Sequence, residues 1–271
     1  MSLSSKIYQC VGFAAVVAIV SIVAQPVHAA LYAFAVQQTS AYSVTGGTLG
    51  ALSVNSSSSA AQGGIPSGSD AHAATFDALQ SYIGPALTAP PQNTYTPKGQ
   101  VNPDYTRGDA LVDSPVLGTH NVAETFLTHP GNNSSSGAWS VTAPLTVTSS
   151  GAVSTSFAYT NQLTVTHTSA PGDTVQASYS YNLTIQNSSG TVVFSSAPTA
   201  VNGSLALIAP GALSAPGAGT VTVTSGVLPT GSYIFTITGT ETVFANIVPE
   251  PASCLLIAGA LISFASRRRQ R

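Results

Sequence analysis

Strict alternation between apolar and small polar residues is the feature that most restricts the fold of this chain. It runs from Ala138 to Ile247 and is clearest in "TVQASYSYNLTI", where one side of an extended strand collects Val175, Ala177, Tyr179, Tyr181, Leu183 and Ile185. A period of two residues is typical of a β-strand with one buried face. Glycine, proline and asparagine turns separate several such stretches. The pattern predicts a mainly β fold, an antiparallel β-sandwich of jelly-roll-like architecture.

Charged residues are scarce and unevenly distributed. They make up 6% of the 271 residues, against about 25% in a typical soluble domain. Between Ala30 and Pro251 the basic residues are Lys98 and Arg107, whereas all nine Asp and Glu residues lie in this range. A mildly acidic body without a basic patch excludes nucleic acid as a partner. Cys10 and Cys254 lie in the terminal apolar runs, so the body has no cysteine for a disulfide, a zinc site or a thiol nucleophile.

The segment from 55 to 137 is rich in serine, glycine and proline, and it predicts loops rather than regular strands. One or two short helices are expected within it. "SDAHAATFDALQSYIG" has Ser69 or Asp70 as a cap and stops at Gly84. Asp109 to Thr128 suits a second short helix or a strand, and "HPGNNSSSG" predicts a loop. The body, 30–247, is thus divided into a loop-rich part, 55–137, and a part with regular strands, 138–247.

Aspartates in the loop-rich part are candidates for cation binding. Asp104, Asp109 and Asp113 lie in one short stretch with Asn102, and oxygen ligands of this kind suit calcium. Their spacing differs from that of an EF-hand loop, so solvated loop carboxylates are the alternative interpretation. Apart from this calcium hypothesis, no cofactor is expected.

Other titratable residues suggest further chemistry. His120, Glu124 and His129 form a second set, and on one helix His120 and Glu124 lie one turn apart, which suits a metal. The H-E-x-x-H motif is absent from the sequence. Glycoside hydrolysis needs two carboxylates about 5–9.5 Å apart, which Glu124 and an aspartate such as Asp109 can supply.

Two kinds of side chain suit sugars. Trp139, Tyr95 and Tyr105 are rings that can stack on sugars, although a tryptophan at the start of a strand is more often a core residue. The threonine-rich polar faces of the strands offer uncharged hydroxyls for sugar hydroxyls, although threonine is also a good strand former.

The N-terminus has the layout of a secretory signal peptide, which the Sec machinery reads. Lys6 gives a positive start, and an apolar run extends from Ile7 to Ala24. Cleavage is predicted between Ala29 and Ala30, so residues 1–29 form the signal helix and the exported body begins at Ala30. An uncleaved membrane anchor is the alternative.

The C-terminal segment, 248–271, combines three elements. Val248, Pro249, Glu250 and Pro251 form a stiff extended tetrapeptide, because each proline fixes its own φ and keeps the residue before it extended. The apolar run from Ala252 to Ser266 predicts a single transmembrane helix about 22 Å long, shorter than the ~30 Å hydrocarbon core. The positive-inside rule keeps the terminal arginines cytoplasmic, and this membrane-stop cluster consists of Arg267, Arg268, Arg269 and Arg271.

Together, the signal peptide, the low-charge body, "VPEP", the short apolar helix and "RRRQR" resemble a PEP-CTERM protein, a substrate of an exosortase. The resemblance covers the last 24 residues and the general layout. It implies a Gram-negative bacterium that makes exopolysaccharide and a transient intermediate in the inner membrane. It also implies recognition at Val248 to Pro251, removal of the tail by a cysteine-protease-like transpeptidase, and delivery to the cell surface or extracellular matrix. A simple single-span anchor is the alternative.

Three functions fit these observations. The first is a structural, non-enzymatic protein of the cell surface or biofilm matrix that associates with extracellular polysaccharide, and it requires no catalytic residue. The second is a carbohydrate-binding or adhesive module, calcium-assisted in one version. The third is a polysaccharide-active enzyme that uses carboxylates from 70–130.

Overall fold

Two antiparallel sheets make up the part of the protein that the structure describes. The structure, a computed structural model, describes residues 30–63, 65–72, 79–83, 104–113, 118–168 and 172–248. Its strands are β1 (Leu31–Thr45), β2 (Thr48–Leu49), β3 (Ser53–Gln62), β4 (Ile65–His72), β5 (Leu79–Ile83), β6 (Tyr105–Asp113), β7 (Gly118–Leu127), β8 (Gly131–Val147), β9 (Gly151–His167), β10 (Thr174–Asn187), β11 (Val192–Ser196), β12 (Gly203–Leu207), β13 (Gly211–Leu228) and β14 (Gly231–Ile247).

One sheet has six strands in the order β13-β9-β1-β7-β6-β5. The eight-stranded sheet has the order β11-β10-β14-β8-β3-β4, with β12 beside β10 and β2 beside β8. The consecutive strands β7, β8, β9 and β10 alternate between the two sheets, so the chain crosses repeatedly from one to the other. The prediction of a mainly β, antiparallel fold is confirmed.

The two sheets face each other across a core that contains two apolar clusters. The first cluster joins Phe157 of the six-stranded sheet to Trp139 and Tyr181 of the eight-stranded sheet. The rings of Phe157 and Tyr181 stack with their centroids 4.7 Å apart. The second cluster joins Leu31 to Val243 in the same way. Because each cluster draws on both sheets, apolar burial holds the sheets face to face.

The alternating pattern predicted for β10 is confirmed. Its apolar side chains all face the core and are buried, namely Val175, Ala177, Tyr179, Tyr181, Leu183 and Ile185. The polar residues between them lie on the other face, as a half-buried strand requires.

Polar groups bridge the two sheets directly between β6, β7 and β8. Thr106 Oγ1 donates a hydrogen bond to the backbone oxygen of Ser134 at 3.0 Å. Ser135 Oγ donates to the backbone oxygen of Glu124 at 3.1 Å and accepts from its N–H at 3.2 Å. Gly108 faces the same layer, where a Cβ would collide with backbone oxygens of the facing sheet. This close approach requires small inward-facing residues.

The prediction of a loop-rich insertion over 55–137 is wrong for the residues that the structure describes, because most of them lie in β3 to β8. Short polar side chains take inward positions that apolar residues take in the other strands, and Ser56, Ser58, Asn133 and Ser135 are all buried. A search for apolar periodicity misses such strands, since serine on the inner face and serine on the outer face look alike.

The short helix predicted from Ser69 to Gly84 is wrong where the structure describes it, because those residues belong to β4 and β5. For Asp109 to Thr128 the sequence left a helix or a strand open, and the strand is confirmed where the structure describes the range, in β6 and β7. The predicted loop at 129–137 contains the start of β8. Pairing with neighbouring strands satisfies the backbone of these residues, whereas a short isolated helix is marginal in water. Residues 73–78 of the first predicted helix lie outside the described residues.

Both predicted terminal helices, in 1–29 and 252–266, also lie outside the described residues. A 3-10 turn at Thr199–Val201 is the helical element of the described ranges. Among those residues, no helix combines the length and the apolar character needed to cross a bilayer.

Candidate functional sites

Charged and phenolic side chains meet on the side of the six-stranded sheet that faces away from the eight-stranded sheet. We call this group the Arg107 cluster, and it comprises Arg107, Asp109, Glu124, Tyr32 and Tyr105. Thr106 and Gly108 face the other sheet, so the residues that alternate with them on β6 point the opposite way. Arg107 and Glu124 are directly opposite each other on β6 and β7.

Glu124 is the centre of the Arg107 cluster. The hydroxyls of Tyr32 and Tyr105 both donate to Glu124 Oε1 at 3.0 Å. Arg107 Nε lies 3.8 Å from Glu124 Oε2 and 3.7 Å from Asp109 Oδ2. The exposed fraction is 1% for the Arg107 side chain and 10% or less for both carboxylates. Removing one partner of such a buried ionic group leaves an uncompensated charge.

Burial changes the protonation of two groups on this face. Burial raises the pKa of Asp109 to about 7, with a further increase from Glu124 and an opposing decrease from Arg107. The pKa of His120 is lowered to about 4 by burial and by the positive charge of Arg107. Gln38 Nε2 lies 2.6 Å from His120 Nδ1, and since an amide nitrogen donates, Nδ1 is the acceptor of a neutral imidazole. Since its pKa is raised to about 7, the Asp109 carboxyl titrates near neutral pH.

Glu124 and Asp109 are two carboxylates of the kind that a glycosidase pair needs. Both lie near the Arg107 guanidinium, and burial raises the pKa of Asp109 above its usual acidic range. The geometry does not suit a glycosidase pair. The side chains are almost inaccessible, and Glu124 already accepts two phenolic hydrogen bonds.

The three aspartates predicted as calcium ligands are not brought together. Asp104 Oδ1 accepts hydrogen bonds from the N–H and the hydroxyl of Thr128, both at 2.6 Å, and Asp104 Oδ2 lies 2.9 Å from His129 Nδ1. Asp109 lies five residues further along an extended segment, about 17 Å away, and Asp113 ends the same strand. Within the described residues, no group of three acidic, histidine or cysteine side chains is placed to hold a metal ion.

The second predicted metal set is also dispersed. His120 and Glu124 lie on a strand rather than a helix, which separates them by about 13 Å. His129 lies beyond the end of that strand and pairs with Asp104 instead.

The aromatic residues predicted to stack on sugars are occupied elsewhere. Trp139 is a core residue, 3% exposed, and its indole N–H reaches the side-chain oxygen of Asn121 when that amide is oriented to accept it. Tyr105 belongs to the Arg107 cluster, and Tyr95 lies outside the described residues.

A buried carboxyl that the sequence reasoning missed lies in the middle of the eight-stranded sheet. Glu241 on β14 is directly opposite Gly137 on one neighbouring strand and Tyr179 on the other. Its exposed fraction is 0%, and in the described structure neither carboxylate oxygen has a hydrogen-bond partner. Burial therefore raises the pKa of Glu241 well above its ordinary value. The signal was present in the sequence, because Glu241 occupies an inward position in the alternation of "TGTETVFANI".

The outward face of the eight-stranded sheet is a continuous surface of uncharged side chains, most of them short and polar. Hydroxyls pair across strands on it, Thr142 with Thr236 at 3.4 Å and Ser178 with Thr242 at 2.6 Å. The register aligns whole rows across β3, β8, β14 and β10, for example Ser53, Thr142, Thr236 and Thr184. No outward-facing side chain described on these four strands is charged. We call this surface the hydroxyl face.

The predicted processing points border the first and last strands. Ala30 directly precedes β1, and its backbone oxygen accepts hydrogen bonds from the N–H and the hydroxyl of Thr168 at 3.0 and 3.1 Å. Val248 directly follows β14, and its N–H donates to Asp173 Oδ1 at 2.8 Å. The rest of the predicted sorting motif and the arginine cluster, together with Ala29, lie outside the described residues.

Comparison with known proteins identifies no family. No family model matches the chain, and no curated protein matches it. Among solved structures, the chain is similar to one titled "Structure of infectious bursal disease virus Gx strain", with 11% sequence identity and a TM-score of 0.10. The similarity covers 84% of this chain and 64% of that chain. A likeness this weak carries no argument about fold or function.

Proposed function

We propose that the protein is an exported, non-enzymatic component of the cell surface or extracellular matrix, sorted by an exosortase and associated with exopolysaccharide. The observation that carries the proposal for the body is the hydroxyl face, which is wide, uncharged and lined with hydroxyl and amide groups. Such groups both donate and accept hydrogen bonds, so they match the hydroxyls of a neutral sugar polymer.

The sorting part of the proposal is supported by the sequence of the tail and by where the strands end. The tetrapeptide Val248 to Pro251 begins immediately after β14, so cleavage there would not cut a strand of the body. The signal helix, the transmembrane helix and the jelly-roll-like connectivity belong to this proposal. The alternation of β7 to β10 between the two sheets supports the last of these.

No catalysis is part of the proposal, because the Arg107 cluster is buried and its carboxylates already have partners. A calcium-assisted carbohydrate-binding module is the second candidate. It differs from the first in one measurable respect, since a chelator abolishes its binding to sugar.

Replacing Val248 to Pro251 with Ala-Gly-Ser-Ala tests the sorting proposal. The wild-type protein is expected to reach the cell surface with a reduced mass, whereas the variant keeps its tail and stays in the inner membrane. Gln270→Ala, a change in the same tail outside the sorting motif, is the control and is expected to behave as wild type. An unchanged mass and location of the variant would contradict exosortase sorting.

Affinity electrophoresis through gels that contain exopolysaccharide purified from the producing strain tests the role of the body. Retardation of the surface-released protein, with and without EDTA, is the expected result. Retardation that disappears with EDTA favours the calcium-assisted candidate. Free migration in both gels refutes any association with polysaccharide.

A further inference from the structure

A shallow groove lies on the hydroxyl face, where β12, β10 and β14 run side by side. Its volume is about 320 Å³, at the lower end of the range of small-molecule sites. Cross-strand register brings two rows of outward-facing residues into it, Ser204, Ser178 and Thr242 in one row and Ala206, Gln176 and Phe244 in the next.

The first row supplies hydrogen-bonding groups without charge. The hydroxyl oxygens of Ser178 and Thr242 lie 2.6 Å apart, so one donates to the other and the pair keeps a proton and lone pairs for a ligand. The exposed amide of Gln176 adds two donors and an acceptor beside them. None of the residues that line the groove is charged. A neutral ligand therefore fits, whereas an ionic one would lose water without gaining a counter-charge.

The second row supplies an apolar platform. Phe244 is 37% exposed, and it is the single aromatic residue among the described outward-facing positions of β3, β8, β10 and β14. It breaks the alternation of β14, whose outward-facing positions are polar except at Ile234 and Phe244. Phe244 follows Thr242 by two residues, so the ring and the hydroxyl pair lie about 7 Å apart along the strand.

We propose that this groove binds one pyranose unit of a neutral polysaccharide chain, with the Phe244 ring against the apolar C–H face of the sugar. Ser178, Thr242 and Gln176 then bond to the hydroxyls at the rim of that sugar. This inference rests on the proposed function and names the ligand class and the site. A second copy of the chain is a poorer occupant, because one partly exposed phenyl ring in a polar face offers little of the apolar area that a stable protein interface buries.

Calorimetric titration of the full chain in mild detergent tests the groove. The probes are the neutral hexaoses cellohexaose, laminarihexaose, maltohexaose and mannohexaose, with a polyuronate oligomer of the same length as the acidic probe. Saturable binding of at least one neutral hexaose is expected, with weaker binding of the polyuronate. Phe244→Ala is expected to weaken the neutral binding by about tenfold, and Phe244→Trp to keep it within about twofold of wild type.

Two further variants show whether the effect belongs to the groove. Ser204→Arg places a large side chain in the groove without touching the ring and is expected to weaken binding as Phe244→Ala does. Ile234→Ala removes another exposed apolar side chain, 42% exposed on the same face of β14, and is expected to bind as wild type.

Each contrary result has its own meaning. If the full chain binds purified exopolysaccharide but Phe244→Ala and Ser204→Arg bind sugar as well as wild type, the groove assignment is overturned and the proposed function stands. The groove assignment is equally overturned if no neutral hexaose binds, or if Phe244→Ala only converts a dimer into a monomer in sedimentation velocity. If the wild type fails to bind exopolysaccharide at all, the proposed function itself fails.

Discussion

Replacing Glu241 with glutamine tests whether the sandwich interior holds this carboxyl in its neutral form. Glu241 is completely buried between strands of the eight-stranded sheet, and no described group hydrogen-bonds to its side chain. Burial raises its pKa well above the ordinary 4.5, so the folded protein keeps the proton at a pH where the unfolded chain has released it. Glutamine keeps the shape of the protonated side chain and cannot ionise.

The sign and size of the effect follow from linkage between protonation and folding. Because the folded pKa is raised, the stability due to this group is complete below about pH 4.5 and is lost as the pH rises towards the folded pKa. Linkage through a single proton sets the ceiling, so between pH 5 and pH 7 the wild type loses at most about 3 kcal/mol that the Glu241→Gln variant keeps.

Urea denaturation at pH 5, 6 and 7 measures this difference, with the fluorescence of the buried Trp139 as the signal. The free energy of unfolding of Glu241→Gln is expected to exceed that of wild type by a margin that grows with pH. Glu124→Gln is the matched control, and it should be less stable than wild type at pH 7, since it removes the charge that faces Arg107. If the two curves for Glu241→Gln and wild type run parallel across this pH range, the carboxyl is not held neutral and the reasoning is refuted.

Three other predictions concern the packing of the sheets, the Arg107 cluster and His120 on the same face. Gly108→Ala is expected to lower the free energy of unfolding by about 1–3 kcal/mol, because its Cβ meets the facing backbone. Gly226→Ala, with no atom within 4 Å, should change it by less than about 0.5 kcal/mol in the same urea assay; equal effects would contradict the close approach. Asp109→Asn should gain stability relative to wild type as the pH rises from about 3.8 to about 7, since protonated Asp109 stabilises the wild type below this window and that stability is lost through it. A pH-independent difference in thermal unfolding counts against this. His120→Gln is expected to show the opposite pH dependence. Because the pKa of His120 is lowered to about 4, the wild type loses stability as the pH falls from 6.5 to about 4, whereas the variant does not. Parallel acid-denaturation curves for variant and wild type would contradict the neutral imidazole.

The alternating strands could be predicted from the sequence, whereas the serine-rich strands could not. In β10 the inward residues are apolar and the outward ones polar, so the period of two is visible. In β3 and the start of β8 both faces carry serine, and the inward serines are buried by a closely packed partner sheet rather than by their own character. Packing against the facing sheet, rather than the local sequence, determines that these segments form strands.

Much the same holds for the candidate sites. The sequence indicated a hydroxyl-lined face, because outward threonines follow from the alternation itself. It could not place Asp104, Asp109 and Asp113 relative to one another, since that depended on whether the segment was a loop or a strand. On β14, Phe244 is an apolar residue at an outward position and Glu241 is an acidic residue at an inward position. A search for breaks in the alternation of the sequence would find both.

Mass spectrometry of the protein recovered from the cell surface tests the central claim most directly. The account predicts a mature chain that starts at Ala30 and gives no peptide from "RRRQR", because the signal peptide and the sorting tail have both been removed. Recovery of the intact C-terminus, ending at Arg271, from surface-located protein would contradict it.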